Sequence, residues 1–397
     1  MGSAAGSQNA STAMRTGLPV DGISVQPVRT AGERDQFIAF QPKLYADDPF
    51  FVPPIAAERR DFLDPRKNPF LSHTELSLFL AKRGEEVVGR AAAINDPQYN
   101  QFHNTETGFF GMFESIDDPS VAGALLDAAS AWVGGKGMKQ LLGPVNFSFN
   151  HDCGVLLDRF DQPPTMMMAY NPPYYPQLLE ANGMVKAKDL WSFELSTAVA
   201  PTEKVVRIAE NLRARESVRI RHLRLDRLSE EVGRIKAVYN AMLEKKWGFV
   251  PMSDDEFDFI AARLRLLVQI RPELFLIAEI RGEPVAFSLT VPDSNMAIKA
   301  AQGRLTRFGL PLGLARMLWA ARSIDRLRVL LFGIKPGYRR RGLDALLYLD
   351  TLHAARRLGY NIAEIGWTSE DDHLLNRAIE SMGARRYKTY RLYERPV

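Results

Sequence analysis

The chain has 397 residues, of which 46% are hydrophobic and 25% charged, and its formal net charge is +4. That length exceeds one ordinary core and implies two domains, while the charge excess is too small for a dedicated nucleic-acid binder. A single cysteine, Cys153, excludes an internal disulfide, and six histidines without ligand spacing give no reason to expect a metal.

Residues 1–22 are small and polar and read as a disordered segment without a signal peptide. No run of about 18 uncharged apolar residues occurs, so no membrane span is expected and the expected location is the cytoplasm. Residues 23–28 predict a short strand, and 31–62 a helix broken around Pro53-Pro54. Over 78–90 an apolar strand, an Arg83-Gly84-Glu85 turn and a second strand predict a hairpin. A strand over 108–114, a helix over 119–134, a strand over 139–145 and a helix over 172–182 follow.

The same order then returns. A strand at 218–228 and helices at 229–247 and 254–269 precede a second hairpin at 274–286, turning at Arg281-Gly282-Glu283. Strand 328–334, helix 342–358, strand 362–367, helix 371–382 and a strand over 387–393 complete the half. The repeated order predicts two α/β sandwiches, each a mixed sheet flanked by helices. The expected domains are 23–198 and 217–397, joined by a linker over 199–216.

The most informative segment is the turn after strand 328–334, which reads as apolar and buried on both faces. Lys335-Pro336-Gly337-Tyr338 turns the chain, and Arg339-Arg340-Arg341-Gly342 opens a helix that ends at Gly359. A loop wrapping into a helix start aims free N–H groups at one point, and the helix dipole adds positive potential there. Gly342 allows close approach, and four cationic side chains complete an anion site suited to a pyrophosphate.

This strand, turn, Arg-x-x-Gly and helix resemble the coenzyme-binding motif of the GNAT acyltransferase superfamily over residues 217–397. The resemblance implies that Phe332, Gly333 and Ile334 contact the pantetheine arm of an acyl-CoA. It implies that Arg339, Arg340, Arg341, Gly342, Leu343, Asp344 and Ala345 cradle the phosphates, with Asn376 as a further contact. Asp344 departs from the family, which has a small residue there, and is expected to cap the helix. In the first half Ser115–Ser120 is acidic and lacks the glycine, so one coenzyme site per chain is expected, in the second half.

Acyl transfer to an amine needs a proton acceptor for the amine and a proton donor for the thiolate. The helix at 371–382 lacks the tyrosine that the family uses as acid; Tyr387, Tyr390 and Tyr393 on the next strand are the substitutes, with Tyr390 preferred. Glu364 or His373 is the candidate base; the alternatives are an arginine pair for Glu364 and a helix cap for His373. His151 is a further catalytic candidate: it stands in a polar row with Asn146, Asn150 and Asp152 that ends a strand at a cleft, the alternative being an Asx turn.

Residues 303–322 are apolar with interspersed arginines. Such a segment lies on a membrane surface, lines a pocket for an acyl chain, or packs between the halves. The tandem plan resembles a bacterial GNAT-type group that includes ceramide synthases. That implies acyl-CoA as co-substrate and the amine of a lipid-like acceptor, with no nucleic acid as partner. An acetyltransferase of a small amine or protein, and a non-catalytic CoA-binding protein, remain as alternatives.

Overall fold

Two hairpins and two parallel strand pairs frame the molecule. The computed structural model describes residues 22–214, 218–243, 246–306 and 309–397, so the expected disordered segment lies outside it except for Gly22. In the first half, β1 (Ile23–Pro27), α1 (Ala31–Leu44) and α2 (Ala56–Phe62) precede a hairpin of β2 (Glu75–Arg83) and β3 (Glu86–Asn95). Next come α3 (Pro97–His103), β4 (Thr107–Ser115), α4 (Pro119–Gly134), β5 (Gln140–Gly143), β6 (Val155–Leu156), α5 (Tyr175–Ala181) and β7 (Val185–Ser196).

After α6 (Glu203–Arg213), the second half runs β8 (Val218–His222), α7 (Leu228–Leu243), α8 (Asp254–Ile270), β9 (Phe275–Ile280) and β10 (Glu283–Pro292). It continues with α9 (Asn295–Ala301), α10 (Leu312–Ala320), β11 (Arg326–Ile334), α11 (Leu343–Arg357), β12 (Ile362–Ser369), α12 (His373–Ser381) and β13 (Arg385–Pro396). The local causes are legible. Thr30 with Glu33, and Ser253 with Glu256, form capping boxes at α1 and α8. Asp118 caps α4 ahead of Pro119. Arg281 and Gly282 both take positive φ, which makes the two-residue turn between β9 and β10.

The strands join one mixed sheet, ordered β1-β2-β3-β4-β5-β13-β7-β12-β11-β10-β9-β8, with β6 paired to β13. Each half supplies four antiparallel strands and then one parallel pair, β4 with β5 and β11 with β12. The halves then exchange their last strands. β13 lies beside β5 of the first half, and β7 lies beside β12 of the second. β7 and β13 pair with each other and close the junction.

Helices cover both faces of each half, as an α/β sandwich requires. In the first half Val121, Leu125 and Leu126 of α4 pack on one face, and Phe37 of α1 with Phe62 of α2 on the other. In the second half, α11 covers one face with Leu343, Leu346 and Leu347, and α7 the other with Ile235, Val238 and Tyr239. The stretch 199–216 contains α6, whose Val205, Ala209 and Leu212 join the core beside α11. β7 has no counterpart among the expected elements. β11 also differs from expectation: Val329–Phe332 are half-buried, because its neighbour β12 leaves it partway along.

Candidate active site

β11 and β12 pair in register only from Arg326–Ile362 to Val329–Ile365. β11 then runs on to Ile334 beside β10, and β12 runs on to Ser369 beside β7. The two strands therefore part, and the edge of Leu330–Ile334 that faces β12 has no strand partner among the described residues. Gly333 lies in this stretch under Met242 of α7, and a Cβ there would collide with the Met242 sulfur.

Directly above the open edge, residues 335–342 form the loop into α11. Arg340 has φ of +61° and Gly342 of +88°, so the loop enters the left-handed region twice within three residues. Gly342 is doubly constrained, since a Cβ would also lie 2.6 Å from Ile208 of α6. Arg339 is tied down: its guanidinium donates to the carbonyls of Ile334 (3.3 Å) and Met242 (2.8 Å). Arg340 and Arg341 are exposed, with Arg341 lying over the Tyr338 ring at 5.1 Å. Gly342 occupies the N-cap of α11 without a side-chain cap, so Asp344 stands in the first turn and does not make the cap expected of it. Leu343 and Ala345 are buried beneath the loop. A cavity of about 580 Å³ opens beside it, lined by Arg341, Tyr338, Leu212 and Arg281 among others.

Below the point of parting lies a buried polar group of residues. Glu364 is fully buried, accepts a hydrogen bond from Ser192 Oγ at 2.7 Å, and lies 4.0 Å from Arg328 Nη1. Arg328 and Glu364 face each other across the parallel pair, one rung before it opens. Glu364 Oε2, Arg328 Nε and the Tyr390 hydroxyl have no hydrogen-bond partner among the described residues. Burial, followed by the Glu364 charge, pushes the Tyr390 phenol well above its ordinary range and keeps it protonated. Lys388, beside them, donates to the Pro163 carbonyl at 3.0 Å, and burial lowers its pKa.

The structure thus brings Glu364 and Tyr390 together, and separates them from other expected site residues. His373 is exposed in the first turn of α12, where Asp372 takes the capping role. Asn376 is buried, accepts from Thr368 Oγ1 (2.6 Å) and donates to the Ser369 carbonyl (3.0 Å), so it ties α12 to β12. His151 sits among Phe62, Phe70 and Phe147, with Nδ1 3.0 Å from Ser148 Oγ. Burial lowers its pKa to about 4, so the imidazole is neutral at physiological pH. Cys153 is buried and burial pushes its thiol up, which leaves no nucleophile there. Arg328, Lys388 and Ser192 escaped the reading of the sequence. For Arg328 a signal exists: it is an arginine directly before the apolar run Val329–Ile334.

The first half fills its own gap. The pairing of β4 with β5 stops at Phe109–Leu142, and the chain after β5 then lies across β4. Val145 N donates to the Phe110 carbonyl at 2.8 Å, and Asn146 Oδ1 accepts from Met112 N at 2.6 Å. A Cβ on Gly111 would strike the Val145 carbonyl, which shows how closely this plug is seated. Only residues 116–118 separate β4 from α4, against 335–342 in the second half. Tyr175 holds the short loop by donating to Glu114 Oε2 (2.7 Å) and accepting from Ser115 N (3.0 Å).

Comparison with known proteins bears directly on this arrangement. No protein-family profile matches the chain. The bacterial ceramide synthase of Caulobacter vibrioides is 34% identical over 385 residues, covering 94% of this chain and 98% of that protein. The chain belongs to the bacterial ceramide synthase family. Protein YghO of Escherichia coli is 33% identical over 370 residues, covering 91% of this chain and 92% of its own. Among solved structures, a tandem GNAT protein from the clavulanic acid biosynthesis pathway aligns with 94% of this chain and 98% of its own. Its TM-score is 0.54 and its identity 12%, a likeness of fold. The family and the tandem GNAT fold make the protein an enzyme of the N-acyltransferase class, and the paired halves are the two GNAT units.

Proposed function

We propose that the protein transfers the acyl group of an acyl-CoA to the amine of a lipid-like acceptor such as a sphingoid base, forming a ceramide-type amide. The reading rests on the parting of β11 from β12 directly below the arginine loop. The open edge of Leu330–Ile334 suits the pantetheine amides, and the loop with Arg340 and Arg341 suits the pyrophosphate. The cavity beside Arg341 and Tyr338 has room for the nucleotide end. The lipid acceptor is supported by the name of the Caulobacter relative. We assign the coenzyme to the second half (217–397) and take the first half (23–198) as a copy that shapes the cleft. Acyl-CoA as co-substrate supports a cytoplasmic location.

In the reaction the amine nitrogen attacks the thioester carbonyl carbon, the C–S bond breaks, and one amine proton ends on the CoA sulfur. We assign Glu364 as the group that takes the proton and Tyr390 as the group that delivers it. Glu364 sits one rung below the opening, where Arg328 and Ser192 hold its carboxylate in place. His373 faces solvent and His151 lies in an aromatic box, so both rank behind Glu364.

The test is turnover with acyl-CoAs from acetyl to stearoyl, against a sphingoid base and polyamines. Long-chain acyl-CoA with the sphingoid base is expected to be preferred. Preference for acetyl-CoA sinks the lipid reading, and CoA binding without turnover favours a non-catalytic CoA-binding protein. Glu364→Gln is expected to lower kcat by about a hundredfold or more with CoA affinity unchanged.

A further inference from the structure

One end of the second-half sheet carries an apolar surface that the acyl-transfer chemistry does not use. Phe275 of β9 pairs near the end of β10, and Pro292 of β10 pairs with Leu327 of β11. The start of β9, the end of β10 and the start of β11 therefore share one end of the sheet. The arginine loop stands at the opposite end of β11. With nine residues, β11 separates the two ends by roughly 30 Å.

α9 and α10, which connect β10 to β11, stand at the end away from the loop. α10 buries only Gly313. Leu310 is 58% exposed, Leu318 59% and Trp319 72%, which is far more than a helix packed between the halves would show. The last turns of α8 reach the same end just before β9, with Leu266 and Ile270 also exposed.

Charge points this surface to an anionic partner. No aspartate or glutamate occurs from Asn295 to Ile324, whereas Arg304, Arg316 and Arg322 are exposed there. Residues 259–272 of α8 and its exit also lack an acid, and Arg265 is exposed there. Exposed leucines and a tryptophan beside arginines, on two stretches that lack acids, complement a bilayer with anionic headgroups. Among the described residues no helix is long and apolar enough to cross a membrane, so the contact is one of surface docking.

We propose that α10, with the end of α8, docks the enzyme on an anionic phospholipid bilayer. The water-soluble coenzyme then reaches the arginine loop from the side away from the bilayer. The docking claim stands independently of the acyl-transfer reading, because vesicle binding is measured without turnover.

The experiment is co-sedimentation of the full chain with vesicles of phosphatidylglycerol and phosphatidylcholine, against phosphatidylcholine alone. Binding is expected only with phosphatidylglycerol, and weakened by salt, since each arginine near such a surface is worth roughly fivefold in affinity. The double variant Leu318→Glu/Trp319→Glu is expected to lose binding about tenfold or more while keeping its thermal midpoint and its CoA affinity. Equal sedimentation of native protein and variant overturns the proposal. So does a salt-independent dimer, seen by light scattering, that the variant breaks while native protein ignores vesicles: the surface then joins two copies.

Discussion

In the first half, the gap beyond the parallel pair β4–β5 is occupied by Val145 to Cys153. In the second, the equivalent gap beyond β11–β12 stands open below eight loop residues. One strand plan thus yields a closed wall in one place and a cleft in the other. The difference comes from few contacts. Asn146 takes the Met112 N–H that would otherwise face the gap, and Tyr175 holds the shortened loop where the arginines would stand. The same strand plan can therefore be closed by a piece of its own chain.

Three substitutions press on that comparison. Arg341→Glu puts a negative charge at the open loop, and CoA affinity by calorimetry is expected to fall by about a hundredfold or more. Arg341 is exposed, so stability should change by no more than about 0.5 kcal/mol. Undiminished binding would mean that the coenzyme uses the first half, and the contrast between the halves would collapse.

Asn146→Ala attacks the plug. It leaves the Met112 N–H unpaired in the interior and should cost about 1–3 kcal/mol in urea unfolding, without weakening CoA binding. A parallel loss of CoA affinity would show that plug and cleft are mechanically coupled.

The smallest effect concerns the seam between the halves. His73 of the first lies 3.4 Å from Glu256 of the second, and that carboxylate raises the His73 pKa. A raised folded-state pKa gives stability that is complete below the unfolded value and lost as pH rises through the folded one. From roughly pH 6 to pH 8 the native thermal midpoint should fall relative to that of His73→Gln, by an amount worth less than about 1 kcal/mol. Parallel curves for the two proteins would remove the pair from the seam.

The loop was legible in the sequence because everything that makes it is local. An apolar strand, a proline turn, three arginines, one glycine and a helix lie within one short stretch, and each has its own physical signature. The plug was not legible, because it depends on Asn146 meeting Met112 across the chain, and an Asx turn reads the same in sequence. β7 escaped although Phe193-Glu194-Leu195-Ser196 alternates as a strand should. Its partners β12 and β13 lie far along the chain, so nothing nearby announces a pairing. Glu364 could be read as a charged residue in a strand, but its partner Arg328 emerges only when two parallel strands fix the register. The exposure of α10 was one of three options that composition could not separate.

The exchange of terminal strands also sets an order in time. On the ribosome, β1 to β7 emerge first, yet β5 gains its second sheet neighbour only when β13 appears, after every other element of the second half. Until then the early half carries an unpaired edge, a template for errant association. A nascent chain interrupted at any point between β5 and β13 therefore exposes the same hydrogen-bonding edge, whichever codon stops it. The arrival of β13, rather than completion of the first half, is the event that covers this edge.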